Sequence, residues 1–252
     1  MQRRPPRKIR IDLLLVKKGL AESRTKAQAL VMAGAVVAAD VRIDKPGQLV
    51  DPDSPLRVKE DAAPRKYVSR GALKLERALE VFQVDPQGLV CADLGASTGG
   101  FTDLLLKRGA ARVHAVDVGY GQIHQTLRSD PRVIVRERQN ARFLAPKALG
   151  EDVELVTADL SFISLRLVLP AVKNLLKPGG RVLLLVKPQF EVGRGEVDKG
   201  GVVRDQGKRR WALESVKAAA QGLGFDVLGE CESPIEGPAG NREWLLALKL
   251  GS

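Results

Sequence analysis

Cysteine is scarce in this 252-residue chain: Cys91 and Cys231 stand far apart, with no CxxC pair and no Cys/His cluster. That excludes a disulfide framework and a zinc site, so no metal is expected, and it fits a reducing cytoplasm. Long apolar runs are missing as well. Runs such as 13–16 and 182–186 fall far short of the roughly 20 residues a membrane-spanning helix needs, and Lys17 and Lys18 follow the first directly. Neither a signal peptide nor a membrane anchor is expected. Aromatic residues make up only 4% of the chain, which leaves few rings to spend on a surface.

Positive charge, by contrast, is plentiful. Forty-one Lys and Arg stand against thirty Asp and Glu, a formal charge of +11. Residues 1–26 hold nine basic residues against Asp12 and Glu22, so this end alone carries 9 − 2 = +7. Such a concentration suits a polyanion, against the plainer reading of a solvated face. The candidate contacts are Arg4, Arg7, Lys8, Arg10, Lys17, Lys18, Arg24 and Lys26.

Length and a hydrophobic content of 44% suit one large domain with a small appendage. Residues 1–8 read as a basic, Pro-rich arm. Residues 9–62 read as a small α+β module: a helix through "IRIDLLLVKKGL" stopped near Gly19, a second helix with Ser23 as N-cap and Gly34 as its stop, then short strands at "AVVAA", "VRID" and "LRVKE". In the second helix Ala27, Leu30 and Val31 form the buried stripe, which leaves Arg24, Lys26 and Gln28 on a basic polar face. Pro64 breaks the chain within a linker at 63–69, and a helix begins near Ser69.

Residues 70–252 then alternate strands and amphipathic helices, the pattern of a doubly wound α/β sheet. The last two strands, "DVLGECES" and "REWLLALKL", are joined by a loop alone and predict an antiparallel pair at one edge. Such a sheet binds ligands at the carboxyl ends of its strands, beside the point where strand order reverses.

The first of these turns reads Asp93-Leu94-Gly95-Ala96-Ser97-Thr98-Gly99-Gly100. It is neither a GxGxxG turn nor a P-loop. An acid entering the turn repels a pyrophosphate and suits a ligand with an amino group, while Gly95 and Gly99 let backbone come close. One strand on, Asp117 is placed to accept hydrogen bonds from two ribose hydroxyls. A nucleoside with an amino-acid tail satisfies both ends, and S-adenosylmethionine is such a ligand. The expected contacts are Asp93, Gly95, Ser97, Gly99, Gly100 and Asp117, in a pattern that resembles motif I of class I, Rossmann-like methyltransferases. Asn140 has two readings, a contact to the adenine edge or a cap of its own loop.

Four further polar residues sit at element ends or on the entering helix: Lys74, Asp159, Lys187 and Glu243. Singly, each reads as a solvated charge or a cap. Together they suit a ribose 2′-hydroxyl, a weak nucleophile that must lose its proton, with Lys187 as the proton acceptor and the others disposed around it. Phe162 and Phe190 lie nearby, although a ring at a strand end serves a core more often than it stacks on a base. The glycine-rich loop 191–205 follows Lys187 and is long enough to close over a nucleotide turned out of its helix.

Several of these motifs carry a resemblance. Arg10-Ile11-Asp12, Gly19-Leu20, Ser23-Arg24, Ala27, Gly34 and Lys45-Pro46-Gly47 resemble an S-four-like RNA-binding domain. The order Lys, Asp, Lys, Glu resembles the tetrad of FtsJ-like ribose 2′-O-methyltransferases. With "VSRGALKL", "DLGASTGGFTD", "DVGYGQ", "ERQNAR", "DLSFISL", "VKPQFEVGRG" and "GNREW", the chain from about residue 9 looks like the TlyA family, also called hemolysins.

The resemblance implies a class I methyltransferase sheet with an antiparallel edge strand behind a small RNA-binding domain. It also implies S-adenosylmethionine as cofactor and 2′-O-methylation of cytidine in bacterial ribosomal RNA, of the large subunit or of both. The expected partner is ribosomal RNA within ribosomal subunits, with no membrane and no obligate protein partner, and a monomeric enzyme in the cytoplasm. Longer family members extend beyond the last strand where this sequence stops at "LALKLGS", which leaves action on both subunits open. The competing readings are a methyltransferase for another RNA, a ribosome-assembly factor and a membrane-active hemolysin.

Overall fold

The computed structural model of the chain describes residues 8–32, 35–39, 41–43, 45–58, 66–145, 147–237 and 239–251. Arg4, Arg7, the helix stop at Gly34 and the breaker Pro64 lie outside them. The chain divides into two compact units, 1–66 and 67–252.

In the first unit, strand β1 (Ile9–Arg10) leads into helix α1 (Ile11–Lys17) and helix α2 (Arg24–Met32). Strands β2 (Val36–Ala38), β3 (Val41–Arg42), β4 (Leu49–Val50) and β5 (Leu56–Val58) follow. Gly19, at φ +71°, ends α1 in the left-handed turn that glycine adopts freely. Ser23 caps α2 as its sequence position predicts, its Oγ accepting from Lys26 N at 3.2 Å. Ile11, Leu14 and Leu15 of α1 pack with Ala27 and Val31 of α2 against Val36 and Ile43. The first helix starts later than expected, because Ile9 and Arg10 pair with Val50 and Leu49 in a two-stranded ribbon. The remaining strands form a three-stranded antiparallel sheet in the order β3-β2-β5.

The second unit opens with α3 (Ala72–Val81), β6 (Val90–Leu94), α4 (Gly100–Lys107) and β7 (Arg112–Val116), then α5 (Gln125–Arg128), β8 (Val133–Arg136) and β9 (Val153–Ala158). It continues through α6 (Leu169–Leu175), β10 (Leu176–Val186), α7 (Pro188–Glu191), α8 (Gln206–Gly222), β11 (Phe225–Glu232) and β12 (Trp244–Leu250). The strands form one seven-stranded sheet in the order β11-β12-β10-β9-β6-β7-β8. Side-chain alternation divides the core between its two faces. Ala92, Leu94, Val156, Leu184 and Leu246 pack with α6 and α8. Cys91, Leu155, Leu183, Leu185 and Leu245 pack with α3 and α4.

The chain winds outward from β6 through β7 to β8, then returns to lay β9 on the other side of β6. The crevice beyond the carboxyl ends of β6 and β9 is the switch point, where a doubly wound sheet holds its ligand. β11 and β12 are the antiparallel pair at one edge, and the reversed member is the inner one: β12 runs antiparallel to both β10 and β11. Among the described residues, no helix is long and apolar enough to cross a membrane.

Candidate active site

At the carboxyl end of β6 the chain turns through Gly95 and Gly99, both left-handed at φ +83° and +94°. The glycines answer to neighbouring protein. A Cβ on Gly95 would come within 2.6 Å of the Asp159 carbonyl, one on Gly99 within 2.3 Å of Leu127 Cδ1, and one on Gly100 within 2.2 Å of Ser69 Oγ. Gly95 also lines the crevice, and none of the three positions has room for a side chain, because the turn packs closely against the end of β9, α5 and the approach to α3.

Asp93, an expected cofactor contact, is likewise engaged by neighbouring protein. Its side chain is fully buried and spent within the protein. Oδ2 accepts from Thr102 N at 3.0 Å and Thr102 Oγ1 at 2.7 Å, and Oδ1 accepts from Thr157 Oγ1 at 3.2 Å. It fastens β6 to α4 and β9 and lies off the cavity wall. Burial pushes its carboxyl up to about 7.

Ser97, Asp117 and Asn140 do reach the crevice, lining with Gly95 and Asp159 a cavity of about 1070 Å³. Asp117 accepts from Ser97 N at 2.8 Å and Gly119 N at 2.7 Å. These bonds fix its carboxylate at the end of β7 and leave oxygen lone pairs unused. Asn140 caps the short turn 141–143, with Arg142 N donating to its Oδ1 at 3.0 Å, which is the second of its two readings.

Lys74, Asp159, Lys187 and Glu243 come together on the wall of a second cavity of about 520 Å³. Lys74 is only 6% exposed, Lys187 9% and Glu243 1%, which excludes solvated surface charges for these three. They pair: Lys74 Nζ donates to Glu243 Oε2 at 2.5 Å, and Lys187 Nζ lies 2.6 Å from Asp159 Oδ1 and 3.0 Å from Ser161 Oγ. Buried charges survive only when paired in this way. Glu243 Oε1 is buried and has no hydrogen-bond partner among the described residues. Asp159, Ser161, Phe162 and Phe190 line both cavities, which therefore adjoin. Phe162 stands at this junction, 92% exposed and at φ +64°, its ring centroid 5.2 Å from that of Phe190.

Two buried residues that sequence reasoning passed over hold the walls. Glu191 accepts from Ser164 Oγ at 2.6 Å and Leu165 N at 2.7 Å, tying the segment after Asp159 to the one after Lys187. Asn241 accepts from Val203 N at 2.9 Å and donates to Gly201 O at 2.8 Å. Loop 191–205, expected to be a mobile lid, is thus pinned beside Glu243, with Val197 and Gly201 on the cavity wall. Both residues sit in motifs noted above, "KPQFE" and "GNREW", but their partners lie 26 and 38 residues away in sequence.

In the first unit the basic residues differ in their engagement. Arg10 and Arg24 both bond to the buried Asp12, Lys26 pairs with Glu22, and Lys18 reaches Ser54 O at 3.4 Å. Lys8 and Lys17 are exposed.

A doubly wound sheet with an acid after its second strand, and four paired ionisable groups at a neighbouring cavity, defines a Rossmann-like methyltransferase. The FtsJ-like methyltransferase family matches residues 67–250, and the S4 domain matches residues 9–55. The chain is 50% identical over 243 residues, 96% of its length and 90% of the relative's, to the 16S/23S rRNA (cytidine-2′-O)-methyltransferase TlyA of Mycobacterium tuberculosis. It is 38% identical over 188 residues, 74% of its length and 72% of the relative's, to the 23S rRNA (cytidine-2′-O)-methyltransferase TlyA of Campylobacter jejuni. A solved structure from Streptococcus thermophilus, provisionally named a hemolysin, has 44% identity and a TM-score of 0.75, covering 97% of this chain and 89% of that one. The chain belongs to the TlyA family of FtsJ-like methyltransferases.

Proposed function

We propose that this protein methylates the 2′-hydroxyl of a cytidine in bacterial ribosomal RNA, with S-adenosylmethionine as donor. The observation that carries the reading is the meeting of two cavities at Asp159, one bordered by Asp117 and the other by the paired Lys74, Lys187 and Glu243. The larger cavity suits the donor: about 1070 Å³ accommodates a nucleoside with an amino-acid tail, and the half-buried Asp117 keeps acceptor capacity for ribose hydroxyls. When bound, S-adenosylmethionine supplies an electrophilic methyl group.

The protein's own residues handle the proton. Lys187 acts as the neutral amine, its own proton already released to solvent: it takes the proton of the 2′-hydroxyl, and Asp159, 2.6 Å away, holds the ammonium so formed in place. Ser161 Oγ fixes the direction of the same Nζ. Glu243 is itself held by Lys74 and offers its unpartnered Oε1 to a hydroxyl of the acceptor ribose. Acid–base assistance of this kind is worth on the order of 10²–10⁴ in rate, with positioning adding more. The exposed Phe162 ring suits stacking on the acceptor base.

The cytidine and ribosomal RNA specificity follows the two TlyA relatives, whose names share the large-subunit RNA and differ over the small. The reading extends to a cytoplasmic monomer whose S4 unit grips RNA chiefly through phosphates. The test is transfer of tritiated methyl from S-adenosylmethionine to purified 50S subunits, 30S subunits and tRNA, with wild type and Lys187→Ala side by side. Label on 50S that is lost in the variant is the expected result. Absence of label on all three RNAs rejects the reading.

A further inference from the structure

Asp12 is fully buried in the first turn of α1, yet every partner of its carboxylate leads to the surface or to the helix itself. Oδ1 accepts from Arg10 Nε at 3.0 Å and from Leu13 N at 2.9 Å. Oδ2 accepts from Arg10 Nη2 at 2.8 Å, Arg24 Nε at 3.0 Å and Gln28 Nε2 at 3.0 Å. The Arg10 contact is bidentate, the geometry that best orients a guanidinium. The turn through Lys45-Pro46-Gly47 closes over it: Asp12 N donates to Pro46 O at 3.3 Å, and a Cβ on Gly47 would lie 3.3 Å from Arg10 Nη1. The Arg10 and Arg24 side chains nonetheless remain 41% and 55% exposed. A guanidinium carries five N–H donors, and these bonds use only a minority of them. Arg10's hydrogen bonding, ahead of the contacts from Gln28 and Arg24, holds the Asp12 carboxyl well below the usual carboxylate range.

We propose that Asp12 is a positioning residue that gathers Arg10, Arg24 and Gln28 into a preformed cradle for one phosphodiester of the bound RNA. The inference rests on the RNA-binding reading of the S4 unit. It differs from a view in which the arginines act as loose positive charge, because the two predict opposite signs. Asp12→Asn makes the unit one charge more positive, so a surface that works by net charge binds RNA more tightly. A preorganised cradle loses its anchor and binds more weakly.

The experiment is binding of the full chain to purified 50S subunits, by filter retention across a series of KCl concentrations. Asp12→Asn, Gln28→Leu, Arg24→Ala and the Asp12→Asn/Arg24→Ala double variant are measured beside wild type, with a thermal melt of each. The expected result is about tenfold weaker binding for Asp12→Asn. The slope of log K against log salt should become shallower by about 0.7–0.9, the share of one phosphate. The Asp12 and Arg24 losses should combine to less than their sum, as members of one unit do. Gln28→Leu changes no charge and reads the cradle independently if Asp12→Asn melts early; it should weaken binding about threefold. Equal or tighter binding by a folded Asp12→Asn, or by Gln28→Leu where Asp12→Asn does not fold, overturns the inference. Failure of wild type to bind 50S subunits at any salt overturns the RNA-binding reading instead.

Discussion

Nζ of Lys187 lies 2.6 Å from Oδ1 of Asp159, and that carboxylate belongs to the walls of both cavities. The two cavities therefore share one charged residue, and under the proposed function removing its partner should disturb turnover without disturbing donor affinity. Lys187→Met is expected to lower kcat by on the order of 10²–10⁴, while the Kd for S-adenosylmethionine by calorimetry stays within about twofold of wild type. Ser161→Ala, which removes only an orienting hydroxyl, should cost about tenfold in kcat.

Gly95 tests whether the turn serves the ligand or the fold. A Cβ there meets the Asp159 carbonyl at 2.6 Å, in a left-handed backbone at φ +83°. Gly95→Ala should destabilise the protein by about 1–3 kcal/mol in chemical denaturation and lower kcat by displacing Asp159. An unaltered midpoint and unaltered turnover would mean that the turn has room to spare.

Asp93 makes the stability depend on pH in an unusual direction. Its folded pKa, near 7, lies above the ordinary aspartate value of about 3.9. Between those limits the folded state holds a proton that the unfolded state has released, so this group's contribution falls as pH rises through the window. Asp93→Asn removes the titration. Its melting temperature relative to wild type should therefore improve from pH 4 to pH 7.5, and a constant difference would refute the assignment.

Asn241 holds Gly201 and Val203 through two buried hydrogen bonds. Asn241→Ala should cost about 1–3 kcal/mol, accelerate hydrogen exchange at the Val203 amide and raise KM for ribosomal subunits, with donor Kd unchanged. A Val203 amide as protected as in wild type would mean that the loop is held by other contacts.

Phe162 is 92% exposed as a residue where the two cavities meet. Base–aromatic stacking is worth roughly 1–3 kcal/mol by alanine substitution. Phe162→Ala is therefore expected to reduce kcat/KM for 50S subunits by about 5–150-fold with no loss of thermal stability.

The four ionisable residues were legible in the sequence because few chemistries explain a lysine and two acids at the ends of strands in one sheet with a second lysine on the helix that enters it. Glu191 and Asn241 were not, since each acts on backbone 26 to 38 residues away, and no local pattern records such a partner. Asp93 shows the same limit from the other side. Its position at the end of β6 suggested a ligand, while its actual partners Thr102 and Thr157 come from α4 and β9. The glycines of the turn advertise that a Cβ is intolerable without naming the atom that stands in its way. In the first unit, counting charges entered Asp12 as a deduction from a basic face; folding makes it the point on which that face is built.

β12 lies between β10 and β11 although it is synthesised after both. As the chain leaves the ribosome, β11 has no neighbour to pair with until β12 follows and slots in, and Glu243 arrives with that strand. The partner of Lys74 is thus the last of the four groups to be made. The methyltransferase unit therefore lacks the partner of Lys74 until the inner strand of its sheet, the last to be made, is in place.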